Sequence, residues 1–187
     1  MTIVTPALSY FLHKGIAQYG HVDASFDLLR RRFDHMLAPQ YNGTLWEEWW
    51  LDGTGRSGKL DNRITRSDAQ TESAFMPALF AEFLLGVQPS IPGMKEVIIQ
   101  VPQTKIKKIA SVVPSPLGIL NVNWNRANSK EKILQLEIPM GMKAKLDLES
   151  FKIPLGKTIK INGKKIPQEA TKKSFYLLSS GKWELIF

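Results

Sequence analysis

The sequence predicts an α+β protein built in two parts, helices first and an antiparallel β-sandwich after them. Three observations lead there. Apolar residues recur at three-and-four spacing as far as Gly86, they alternate at a spacing of two beyond Pro92-Gly93, and the sign of the charge reverses at the same place.

The helical part opens at Thr5, an N-cap candidate, with Pro6 suited to a first helical position. Leu8, Phe11, Leu12, Ile16 and Tyr19 then form one apolar face that ends at Gly20. A second helix is expected from about Asp23, with Phe26, Leu29, Phe33, Met36 and Leu37 on one side and Arg30, Arg31 and Arg32 as a solvated or salt-bridged face, stopping before Pro39. From Tyr41 to Arg66 a stretch rich in Gly, Asp and Asn, including Gly53-Thr54-Gly55-Arg56-Ser57-Gly58, interrupts the helical period; loops of that length are usually functional or disordered. A third helix is expected from Ser67, where Ser67-Asp68-Ala69-Gln70 has the form of a capping box, through Phe75, Leu79, Phe80, Phe83 and Leu84 to Gly86, with Pro77 predicting a kink or a late start.

The second part reads as strands. Leu134, Leu136 and Ile138 alternate with Gln135 and Glu137, and Ala144, Leu146 and Leu148 alternate with Lys145 and Asp147, the mark of half-buried strands. Further strands are expected at Val97 to Val101, Ile106 to Val113, Ile119 to Trp124, Thr158 to Ile161, Phe175 to Leu178 and Trp183 to Ile186, with Asn162-Gly163 as a hairpin turn. Short strands in a row imply a sandwich. The boundary is expected within Gln88 to Met94, giving parts 1–90 and 91–187. Three amphipathic helices have too little mutual surface to cover their apolar faces, so the first part reads as a piece of a larger helical array or as a self-associating unit.

Composition narrows the function classes. Hydrophobic residues make up 43% of the 187, normal for a globular protein and against disorder. The absence of cysteine excludes disulfides and thiolate metal sites, and the three histidines His13, His21 and His35 make a metal cluster a poor expectation; no cofactor is expected. His13 and His35 are expected to be structural. No transmembrane run is present, and the first twenty residues lack the continuous apolar core of a signal peptide, so no membrane partner is expected and the chain carries no readable address. The net charge of +8 is uneven. Residues 1–93 carry 2 Lys, 6 Arg and 10 acids, a balance of −2, whereas residues 94–187 carry 16 Lys, 1 Arg and 7 acids, a balance of +10. Lysines spread along short strands guard edges against pairing, while base readout favours Arg, so nucleic acid is not the expected partner.

The densest chemical signal is Thr44-Leu45-Trp46-Glu47-Glu48-Trp49-Trp50, which sets three of the five tryptophans beside two carboxylates. An indole offers a flat apolar face to the C–H side of a pyranose, and a carboxylate beside it hydrogen-bonds hydroxyls or activates water. The competing reading makes Trp46 and Trp49 core anchors with Glu47 and Glu48 in solvent.

Context comes from Arg30-Arg31-Arg32-Phe33, Met36-Leu37, Gly43-Thr44-Leu45-Trp46-Glu47, Arg66-Ser67-Asp68, Leu84-Leu85-Gly86-Val87 and Pro92-Gly93-Met94-Lys95, which in order and spacing resemble the C-terminal region of bacterial α-L-rhamnosidases, glycoside hydrolase family 78. The resemblance runs from about Thr5 to Lys145 and more weakly to the end. It implies the last helices of an (α/α)6 catalytic barrel followed by a C-terminal β-sandwich, and a rhamnose-containing glycan as partner. It also implies Glu47 as the general base of inverting hydrolysis and Gln70 at the place of a sugar-contacting histidine; Trp46 and Trp49 are then the stacking rings, and Asp68 and Arg66 are candidates to line the same pocket, against a competing reading of a first-turn Asp favoured by a helix dipole and a surface Arg. Inversion needs a second, protonated carboxyl about 6.5–9.5 Å away. No segment among the 46 residues before Glu47 resembles the family's acid-bearing motif, so the chain is expected to be inactive by itself. The family's Ser-Asp-x-His element here reads Ser67-Asp68-Ala69-Gln70, and Gln hydrogen-bonds hydroxyls without titrating near neutrality. Gln70 serves equally as the N3 residue of the capping box. The alternative function is a non-catalytic carbohydrate-binding or accessory module. Association of the exposed helix faces, with each other or with the remaining barrel, is expected, and the family's usual setting is outside the cytoplasm.

Overall fold

A computed structural model describes residues 3–37, 45–47, 49–50, 70–128, 131–153, 158–166 and 174–187. The chain divides into two compact units, Met1–Leu79 and Phe80–Phe187, and the strand Val87–Pro89 pairs within the second unit's sheet.

In the first unit β1 (Ile3–Val4) pairs antiparallel with β2 (Trp49–Trp50), and helices α1 (Ser9–Gln18) and α2 (Val22–Met36) pack together. The start of α1 differs from expectation. Pro6 to Leu8 form a turn in which the Pro6 carbonyl accepts both the Ser9 amide at 2.9 Å and the Ser9 hydroxyl at 2.5 Å, so the helix begins at Ser9 and Leu8 takes the N-cap position with no side-chain cap. Its buried stripe differs too. Ser9, His13 and Ala17, at i, i+4 and i+8, face the interior, whereas Leu8, Phe11 (70% exposed), Leu12 and Tyr19 (87% exposed) point to solvent. Small side chains let α2 approach, and the large apolar face is left over.

Helix α2 keeps the expected face, burying Val22, Phe26, Leu29 and Phe33 while Arg30 and Arg31 pair with Asp34 and Asp27 one turn away on the outside. Phe75 completes this core, its ring edge-on to Tyr10 and Phe33 at 5.7 and 5.6 Å and stacked on His13 at 6.3 Å.

The third helix is not the continuous one expected from Ser67. Gln70 is extended (φ −118°, ψ 120°) and precedes a 3-10 turn at Thr71–Ser73; α3 (Met76–Leu79) follows, and then a π-helical turn at Phe80–Leu84 closed by Leu85 N–H to the Phe80 carbonyl. Pro77 gives the late start, since its missing N–H costs nothing at the second helical position. Gln70 therefore is not a helix N3 residue, and Ser67 lies outside the described residues.

The second unit is the expected sandwich. Its strands are β3 (Val87–Pro89), β4 (Glu96–Ile99), β5 (Lys108–Ser115), β6 (Gly118–Asn125), β7 (Ile133–Ile138), β8 (Lys143–Asp147), β9 (Lys160–Ile161), β10 (Lys164–Lys165), β11 (Phe175–Leu178) and β12 (Gly181–Ile186). One sheet has the order β10-β9-β12-β7-β6-β5, the other β11-β8-β4-β3. Among the described residues all strand pairs are antiparallel except β4 with β8, a correction to the all-antiparallel expectation: the chain leaves β4 for the other sheet, builds β5 to β7, and returns beside β4 in the same direction.

The inner faces share one core. Val97, Ile99, Ala144 and Leu146 from one sheet meet Leu120, Val122, Trp124, Leu134, Leu136 and Leu185 from the other, while Gln135 and Glu137 stay outside as the alternation predicts. The Trp124 indole N–H donates to the Leu85 carbonyl at 2.8 Å, and Phe151 and Phe187 close the same region edge-on at 4.7 Å. Asn162 (φ 48°) and Gly163 (φ 77°) make the expected left-handed hairpin turn between β9 and β10. Pro114 sits in edge strand β5, where its lack of a donor is tolerated, and Lys164 and Lys165 form the opposite edge.

Candidate functional site

The Trp46-Glu47 segment is held by two hydrogen bonds that cross about a quarter of a hundred residues of chain. Gln70 N–H donates to the Leu45 carbonyl at 2.7 Å, and the Ser73 hydroxyl donates to the Trp46 carbonyl at 3.0 Å. Ser73 is wholly buried, and its hydroxyl also lies 3.4 Å from Gln70 Oε1. These bonds explain the local chain path. The Gln70 amide is committed to Leu45 and the Ser73 hydroxyl to Trp46, so the segment Gln70–Ser73 is tied to Leu45 and Trp46.

Trp46 is 4% exposed. Of the two sequence readings, this burial favours the core anchor over the stacking platform for Trp46. Glu47, the next residue, is half-buried and so reaches the rim of the anchored segment. Gln70 is half-buried as well, and its backbone bond to Leu45 places it next to the start of the Leu45–Glu47 segment. Trp49 belongs to β2, its backbone paired with Val4, and its side chain lies outside the described residues. Asp68, Arg66 and Glu48 lie outside them also.

Ser73 is the residue that sequence reasoning missed. Its type is common, and the only available signal was its distance of three from Gln70, which is uninformative without the long-range bond to Trp46.

His13 takes the structural role expected of it. The Ser25 hydroxyl donates to the His13 carbonyl at 2.9 Å and lies 3.4 Å from its Nδ1, while Nε2 is buried without a hydrogen bond. Burial, and then the neighbouring Arg32 charge, push its pKa down to about 4, against a smaller opposing effect of the bond with Ser25.

Among the described residues, no group of three or more His, Asp or Glu is placed to hold a metal ion, and no helix is long and apolar enough to cross a membrane.

Comparison with known proteins falls on one group. Residues 86–160 match the family model described as bacterial alpha-L-rhamnosidase C-terminal domain. The alpha-L-rhamnosidase from Dictyoglumus thermophilum superposes with a TM-score of 0.67 at 14% identity, over 97% of this chain and 20% of that one. The Streptomyces avermitilis alpha-L-rhamnosidase complexed with L-rhamnose gives 0.63 at 17% identity, over 98% of this chain and 17% of that one. The Aspergillus terreus enzyme gives 0.57 at 20% identity, over 91% and 18%. No curated relative matches by sequence. The chain thus resembles the C-terminal region of alpha-L-rhamnosidases and spans about a fifth of the length of these solved structures.

Proposed function

We propose that this chain is the C-terminal part of an α-L-rhamnosidase-like inverting glycoside hydrolase of family 78, acting on rhamnose-containing glycans, and that Glu47 is its water-activating base. The observation that carries the reading is the likeness of 97% of the chain to a rhamnosidase fold, joined to the family match at residues 86–160.

The local geometry supports a role for Glu47. A general base has to be fixed while remaining within reach of water, and Glu47 follows a tryptophan locked in the core by Ser73. Gln70, tied to the same segment through Leu45 and Ser73, supplies an amide for a sugar hydroxyl in place of a histidine. Asp68 and Trp49 are proposed to line the same pocket. The complementary acid comes from elsewhere in the enzyme, since inversion requires a carboxyl across the sugar from the base.

The outward stripe of Leu8, Phe11, Leu12 and Tyr19 supports the helical half of this reading. An apolar helix face of that size is stabilised by burial against further helices, as the last members of an (α/α)6 barrel would be.

The test is hydrolysis of an aryl α-L-rhamnoside. The 187-residue chain by itself is expected to give no turnover, and the same chain joined to a rhamnosidase barrel lacking this region is expected to gain activity that Glu47→Gln removes by about a hundredfold or more. Turnover that survives both Glu47→Gln and Glu47→Ala refutes the assignment of the base.

A further inference from the structure

We infer that the outer face of the six-stranded sheet carries a carbohydrate site of its own, a groove that takes a neutral oligosaccharide. It does not involve Glu47 and stands whether or not that residue is a base.

The groove has a volume of about 620 Å³ and is formed by β5, β6, β7, β12 and the turn at Asn162. That size falls within the range of about 300–1,000 Å³ common to small-molecule sites. Strand register builds its floor. Val112, Asn121, Glu137 and Lys182 lie side by side across four strands, and Ala110, Asn123, Gln135 and Glu184 form the next row. Their chain neighbours Val122, Leu136 and Leu185 are buried in the core, so both rows face outward.

The polar members are fixed by one another. Asn121 Nδ2 donates to Glu137 Oε2 at 3.3 Å, Asn123 Nδ2 to Gln135 Oε1 at 3.1 Å, and Gln135 Nε2 to Glu184 Oε2 at 3.0 Å. Lys182 Nζ stands 3.6 Å from Glu137 Oε1, and Asn162 Oδ1 accepts the Glu184 amide at 2.8 Å. Amides and carboxylates so arranged present donors and acceptors in alternation, at a strand spacing of about 4.8 Å and a row spacing of about 7 Å. A sugar hydroxyl, donor and acceptor at once, matches such a lattice, and Ala110 and Val112 leave an apolar strip along one wall for C–H faces.

Charge selects among polyols. The lining holds Glu137 and Glu184 against Lys182 alone, although the second half of the chain carries 16 lysines. Phosphodiesters and sulfated chains would meet two carboxylates, so the ligand is uncharged.

The experiment is a titration of the isotope-labelled full chain with methyl α-L-rhamnopyranoside, cellohexaose and maltohexaose in turn, reading the side-chain NH2 signals of Asn121, Asn123, Gln135 and Asn162 by NMR. At least one neutral sugar is expected to shift these signals in a saturable way with a dissociation constant on the order of 1 mM. Asn123→Ala with Gln135→Ala is expected to weaken it about tenfold, Val112→Lys to do the same without touching the ladder, and Glu47→Gln to leave it unchanged. Heparin hexasaccharide and oligo-dT serve as polyanion arms. The proposal is overturned if all three sugars leave the four side chains unmoved, if the shifts appear at Glu47 and Gln70 instead, or if a polyanion binds the groove more tightly than the sugars.

Discussion

The Ser73 hydroxyl donates to the Trp46 carbonyl at 3.0 Å in a site closed to solvent, and with the Gln70 amide bond to Leu45 it fixes the segment that leads into Glu47. Removing the donor takes one hydrogen bond out of a buried site, which costs about 0.5–1.5 kcal/mol. Ser73→Ala is therefore expected to destabilise the first unit by that amount, measured by urea unfolding followed through hydrogen exchange of α1 and α2. In the barrel-joined enzyme proposed above it is expected to lower kcat more than it raises KM. An unfolding midpoint unchanged in Ser73→Ala would remove the bond from its place in the account.

His13 makes the first unit sensitive to acid. Its folded-state pKa of about 4 lies below the ordinary 6.5, so the unfolded chain binds the proton more readily. The contribution is fully present above pH 6.5 and is lost as pH falls toward 4, by up to about 3 kcal/mol. His13→Asn, which retains a polar group beside Ser25 and does not titrate, is expected to flatten the stability profile between pH 7 and pH 4.5 while lowering stability at neutral pH. Parallel profiles for the two proteins would assign the acid response to another group.

Much of the second unit was legible because a half-buried strand writes its environment into alternate residues. Leu134, Leu136 and Ile138 could be read inward and Gln135 and Glu137 outward without any knowledge of the partner strand. The β4 with β8 pairing was not legible, because parallel register is set by where the chain returns after three intervening strands. In the first unit the same logic failed at α1, where the largest apolar residues face out and Ser9, His13 and Ala17 face in. Periodicity finds a face; it does not say whether its partner is within the unit. Gln70 shows a second limit, since its capping-box spacing was real but the long-range acceptor on Leu45 took its amide.

Gly86 closes the approach of β3 to β4. Its φ is +70°, its carbonyl accepts the Gln100 amide at 2.8 Å, and a Cβ added there would stand 1.9 Å from the Gln100 carbonyl oxygen. Both the left-handed backbone and the clash with main chain oppose any side chain. Gly86→Ala is expected to cost about 2–4 kcal/mol and to raise hydrogen exchange at Val87 to Pro89 and at Glu96 to Ile99 before the rest of the sandwich. A variant as stable as the parent would mean that the backbone relaxes here without loss.

The outward face of α1 offers the sharpest test of whether the helices are complete as they stand. Phe11 is 70% exposed and Tyr19 87% exposed, so replacing them with charged residues removes almost no buried area within the unit. Phe11→Lys with Tyr19→Glu is expected to change the unfolding free energy by less than about 0.5 kcal/mol. The same pair of changes is expected to abolish concentration-dependent association of the chain in sedimentation velocity, and to block activity in the barrel-joined enzyme, because the face they alter is the one that further helices would bury. If the double variant instead unfolds the chain at low concentration, the face is already covered within the monomer; if it associates and functions as before, the stripe has no partner to lose.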